Sequence, residues 1–123
     1  MPQWARWMAP ELLEDDRPTT RSDIYSFGMT LLEVLTGELP FSNLKSNYQV
    51  IIAVNHGKRP DLPTPLPPLL SRYIDLIKLC WRDDKDARPD IQQVMAQLDW
   101  IDKNQLRTPG SPNFLNPVSI RWP

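Results

Sequence analysis

The sequence has one cysteine, Cys80, and one histidine, His56, among its 123 residues. A lone thiol excludes an internal disulfide, and the two residues together make no set of soft ligands for zinc. Cys80 is therefore expected to be a buried thiol in a reducing compartment. Charge of one sign is also missing, since 14 basic and 15 acidic side chains leave a net −1. No basic surplus draws such a chain to nucleic acid or to an anionic membrane. The longest strongly apolar run, Val50 to Val54, is far short of the roughly 20 residues of a membrane span. No basic-then-apolar signal pattern opens the chain. The expectation is a soluble cytoplasmic protein with no nucleic-acid or membrane partner.

Proline is abundant instead, with 14 in all. They cluster between Pro60 and Pro68 and again between Pro109 and Pro123, which marks a loop and a tail. Outside these clusters the pattern is helical. Ser22 to Leu35, SDIYSFGMTLLEVL, is the strongest helix, capped by Ser22 or Asp23 and stopped by Gly37 and Pro40. At about 100° per residue, Ser26, Thr30 and Glu33 share an arc of about 60°, and apolar residues from Ile24 to Leu35 cover about 220°. A surface helix needs only about 100°, so this helix expects neighbours on several sides.

Shorter helices are predicted over Asn47 to Val54, Leu69 to Trp81 and Asp90 to Lys103. In the last, Asp90 and Gln93 are spaced as a capping box, and Ile91, Val94, Met95, Leu98 and Ile101 form one narrow apolar face. His56, beside Gly57 and Lys58 at a helix end, reads as an exposed end residue rather than a ligand or base. From Asn104 to Pro123 periodicity stops, and a disordered tail is expected. The predicted fold is mainly α, with no convincing strand and no internal repeat.

Four segments in fixed order resemble one family. RWMAPE (Arg6 to Glu11) is similar to the close of the activation segment of protein kinases, and SDIYSFGMTLLEVLTGELPF to the central buried helix of their C-lobe. GKRPDLP and CWRDDKDARPDI resemble the later C-lobe segments, with RWM and CW closest to the tyrosine-kinase and tyrosine-kinase-like groups. The resemblance covers roughly residues 4–103. It implies a partial kinase domain over 1–103 and a Pro-rich tail over 104–123. It also implies a family activity of ATP-dependent phosphorylation of Ser/Thr or Tyr hydroxyls, with ATP and magnesium as the intact family's cofactors.

The groups that perform phosphoryl transfer are a Gly-rich loop, a strand Lys, a His-Arg-Asp catalytic loop and an Asp-Phe-Gly metal ligand. None occurs here. The four glycines are scattered, His56 is followed by Gly57 and Lys58, and Phe27-Gly28 follows Ser26 inside the central helix. The chain is expected to be a kinase fragment that binds no cofactor, holds no metal and is inactive alone. A catalytically dead interaction module and a degenerate remnant are the alternatives.

The resemblance further implies particular roles. Glu11 and Arg88 match the family's structural acid–arginine pair, and Arg6, Trp7 and Met8 match the loop that receives the substrate residue after the phosphorylated hydroxyl. Asp23 matches a helix Asp that accepts hydrogen bonds from the catalytic loop, leaving it a capping role here. Trp81 matches a packing aromatic. Segments that would cover the central helix in the family are not in this sequence, so exposed apolar surface is expected, and with it a protein partner, the missing kinase half, a chaperone or self-association.

Overall fold

A computed structural model describes residues 4–14 and 17–104. The predicted tail therefore lies outside the described residues, apart from Asn104. Short 3₁₀ turns at Ala5–Trp7 and Pro10–Glu14 lead into helix α1, Thr20–Thr36. Helices α2 (Asn47–Asn55) and α3 (Pro68–Cys80) follow, then a 3₁₀ turn at Lys85–Ala87 and helix α4 (Ile91–Asn104). No strand occurs among the described residues. None of their helices is long and apolar enough to cross a membrane.

Helix α1 begins two residues before the predicted Ser22. Its cap is Thr19, not Ser22 or Asp23. Thr19 is extended, and its hydroxyl accepts the Ser22 N–H at 3.2 Å, while the Ser22 hydroxyl accepts the Thr19 N–H at 2.8 Å. Ser22 is thus the inner half of a capping box. Asp23 stands exposed in the first turn, where its charge suits the positive end of the helix. At the other end Gly37 takes φ 72°, a left-handed stop that favours glycine.

The remaining boundaries agree with the periodicity to within a residue or two. The α4 start carries the expected box, since Asp90 N–H donates to Gln93 Oε1 at 2.8 Å and Gln93 N–H to Asp90 Oδ1 at 2.9 Å. Five prolines within nine positions keep Pro60–Pro67 out of any helix, and Pro68 opens α3 at a first-turn position where no N–H is needed. His56 caps the end of α2, exposed, with Nδ1 2.8 Å from the Ile52 carbonyl.

Most of the core is built around α1. Tyr25 and Met29 join Ala9, Phe41, Val50 and Val54 on one side, whereas Ile24 meets Leu76, Cys80 and Val94 on another. Leu32 packs on Ile74 and Ile77 of α3. These residues cover one side of the apolar arc. The opposite flank is open: Val34 is 72% exposed, and Phe27 and Leu31 are half-buried. On α4 the buried face is Val94, Gln97, Ile101 and Asn104. Ile91 and Met95, predicted on the apolar face, are exposed instead, because α3 covers the side of α4 that Gln97 and Ile101 occupy.

Helix α1 packs most extensively on α3. A methyl group at Gly28 would sit 2.8 Å from Cys80 Cβ, so glycine sets how closely the two axes approach. Gly28→Ala is expected to destabilise the fold by about 1–3 kcal/mol despite alanine's better helix propensity. Urea unfolding followed by helical circular dichroism measures it, and an unchanged midpoint contradicts the close packing.

Candidate functional site

Arg88 follows the Lys85–Ala87 turn and enters the interior with no exposed surface. A guanidinium has five N–H groups, and here each has an acceptor. Two bonds of 2.8 Å run in parallel to the Glu11 carboxylate oxygens. The Arg82, Arg21 and Asp83 carbonyls take the others at 2.8, 3.0 and 3.4 Å. The pair thereby ties the turn at Pro10–Glu14 to the start of α1 and to the loop before α4. It is the bidentate fork that suits a buried charge pair. Burial favours the neutral carboxylic acid, but bonds from Arg88 and a backbone N–H, with the Arg88 and Lys85 charges, outweigh it and hold Glu11 below its ordinary value.

Tyr25 extends this network. The guanidinium carbons of Arg59 and Arg88 lie 5.3 and 5.2 Å from its ring centroid, two cation–π contacts on one aromatic side chain. Arg59 is itself fixed by the Trp81 carbonyl at 2.7 Å and Asp83 at 3.3 Å. The Tyr25 hydroxyl has no partner among the described residues, and burial pushes its pKa up to about 12. Burial pushes the Cys80 thiol to about 12 as well. Trp81, half-buried, packs against two of the core clusters, consistent with a packing aromatic.

The Arg6–Met8 stretch is strapped to α1 and to the turn beyond it. Arg6 donates to the carbonyls of Pro40, Phe41 and Leu44 at 3.0, 2.7 and 2.9 Å. The Trp7 indole N–H donates to Glu33 at 3.1 Å, and the Ser26 hydroxyl donates to the Trp7 carbonyl at 2.7 Å. The polar arc of α1 is therefore the seat of Trp7. Nothing local in the sequence assigns Ser26 and Glu33 to this task, although it places them on one arc. Met8 is half-buried and contributes no such bond.

Asp23 lies apart from these groups, on the open flank of α1. With Ile24, Phe27 and Ile91 it lines a mostly apolar cavity of about 390 Å³ between the starts of α1 and α4. Among the described residues no group of three or more His, Cys, Asp or Glu side chains is placed to hold a metal ion.

The family model for protein tyrosine and serine/threonine kinases matches residues 2–98. The chain is 36% identical over 98 residues to the serine/threonine/tyrosine-protein kinase HT1 of Arabidopsis thaliana, a match covering 80% of this chain and 24% of that protein. It is 36% identical over 96 residues to the serine/threonine-protein kinase STY17 of the same plant, covering 78% of this chain and 16% of the relative. It is 34% identical over 100 residues to mitogen-activated protein kinase kinase kinase 7 of Drosophila melanogaster, covering 81% and 14%. The chain thus spans about a quarter or less of the length of these curated relatives.

Stability should depend on the Glu11–Arg88 fork and on pH in two windows. Removing Glu11 strands a fully buried guanidinium, so Glu11→Ala is expected to cost about 3–5 kcal/mol, whereas Arg88→Ala leaves a carboxylate that solvent still reaches. The double variant should cost less than the sum, as a double-mutant cycle in urea would read out. Glu11 is held below its unfolded value, so its contribution is complete above about pH 4.5 and fades as pH falls further. Tyr25 and Cys80 titrate near 12 when folded against ordinary values of 10.0 and 9.0, so the unfolded state loses their protons first. Stability should fall as pH climbs from about 9 to 12. A flat profile across both windows would contradict the burial of these groups.

Proposed function

We propose the function of this chain from a premise that the family match supplies: the chain belongs to the protein tyrosine and serine/threonine kinase family. Its role is the helical scaffold and substrate-side platform of a protein kinase C-lobe. The groups that grip ATP and transfer its phosphate come from another stretch of polypeptide. That stretch belongs to the missing kinase half or to a protein partner.

Phosphoryl transfer depends on positioning the nucleotide and neutralising charge as it develops. The sequence has no G-x-G-x-x-G, His-Arg-Asp or Asp-Phe-Gly segment with which to do either. What it retains is the brace between Glu11 and Arg88 and the strapped Arg6–Met8 loop. Within that loop Arg6 and Trp7 act as anchors, and Met8 is the side chain left to meet a substrate.

The observation that carries this reading is the open flank of α1. Half-buried Phe27, with Ile91 at 57% exposure, lines an apolar trough floored by the buried Ile24, and the exposed Asp23 carboxylate, with no side-chain partner among the described residues, stands at its rim. An apolar trough beside an exposed carboxylate is a surface that a structural neighbour could cover. The catalytic half of a kinase domain is that neighbour, and the small share of each relative that the chain spans is consistent with it.

Two measurements test this reading. Purified chain incubated with γ-labelled ATP, magnesium and a generic protein substrate is expected to transfer no label above background. Transfer that persists through successive purification steps would overturn the assignment of catalysis elsewhere. A hydrophobic dye should bind the trough and fluoresce, and Ile91→Asp, at an exposed position, should cut that signal several-fold without loss of helicity. An unchanged signal would remove the trough as the uncovered surface.

A further inference from the structure

A larger cavity, of about 560 Å³, lies on the molecule between the exit turn of α1 and the Pro60–Pro68 loop. It is distinct from the trough beside Asp23. Leu32 and Leu35 of α1, with Phe41, Leu62 and Leu70, contribute its apolar surface, and Leu39 stands 49% exposed at the edge. Among the described residues the charged lining groups are Glu38 and Asp61, both exposed carboxylates, and Asp61 also borders a neighbouring cavity lined by His56, Lys58 and Arg59. Five lining residues are prolines, at positions 40, 60, 63, 65 and 67. None has an N–H, and of the other polar lining groups the Thr36 hydroxyl donates to the Leu32 carbonyl and the Ser42 hydroxyl to Glu38, which leaves the Asn43 amide as the remaining side-chain donor.

The walls are also held in place before anything binds. Phe41 sits at φ 58°, a left-handed conformation that costs a non-glycine residue about 1–2 kcal/mol. Arg6 fixes that turn by bonding the carbonyls on either side of and at Phe41, and the Phe41 side chain is buried. The opposite wall is stiffened by its prolines. A preformed groove loses little conformational entropy when occupied.

We infer that this groove receives a segment of a partner protein that carries an arginine or lysine next to an aliphatic side chain. The aliphatic group fills the space above Leu35 and Leu62, and the cation lies between Glu38 and Asp61, donating to carboxylates and carbonyls. Charge complementarity selects this occupant, because a rim whose charged lining groups are two carboxylates repels an acidic peptide and attracts a cation. The inference stands on the groove alone and requires no phosphotransfer.

Fluorescence anisotropy with a labelled Leu-Arg-Arg-Leu peptide and the full chain tests it, beside a Leu-Glu-Glu-Leu control. Saturable binding of the basic peptide that weakens with salt is expected, with none of the acidic one. Glu38→Lys with Asp61→Lys should weaken binding at least tenfold, and so should Leu39→Asp. All three positions are exposed, so circular dichroism should remain that of the wild-type chain. Equal binding of both peptides, no binding of either, or affinity indifferent to these substitutions would overturn the inference. Concentration-dependent self-association abolished by the same charge reversal would also overturn it, by making a second copy the occupant.

Discussion

A charged side chain at the centre of a small helical domain is tolerated only if every one of its donors is answered. Arg88 meets that condition through five bonds reaching three separate stretches of chain. Among the described residues, the segment before α1 has no regular structure of its own beyond two 3₁₀ turns, and the loop before α4 has only one. Neither would hold its place by helix propensity. The guanidinium gives both the same anchor, and Tyr25 and Arg59 extend that anchor towards α3. Such an assembly stores specificity more than net stability, because desolvating the charges offsets much of their attraction.

The strapped loop depends on the same logic at smaller scale. Ser26 and Glu33 are polar residues on a helix otherwise apolar over most of its circumference, and both are taken up by Trp7. Arg6 faces the other way, to the turn that also walls the acidic groove. A loop matching a substrate platform and a groove on the far side of the turn are thus joined through one side chain. Displacing the turn would shift the carbonyls that hold Arg6.

Elements governed by local chemistry could be read from the sequence. The Asp90–Gln93 box, the glycine stop at Gly37 and the proline loop each follow from neighbouring residues, and the structure has them. The start of α1 was misplaced because Ser22 satisfies both the outer and the inner half of a capping box, and only the extended backbone at Thr19 decides between them. The α4 face was misjudged for a different reason. Periodicity identifies an apolar stripe but not which helix will cover it, and α3 covers the side that includes Gln97. The Glu11–Arg88 fork spans 77 positions and was visible only through family resemblance. The contact of Tyr25 with two guanidiniums has no local signal at all.

Gly28 gives the seam between α1 and α3 a property that neither helix has alone. The Cys80 sulfur is sealed where the two backbones come closest, so no reagent reaches it while the seam is shut. With a single thiol in the chain, the rate at which it becomes alkylated is a clock for transient parting of these two helices. Binding of any macromolecule that braces the seam would slow that clock, and it would do so without touching the sulfur.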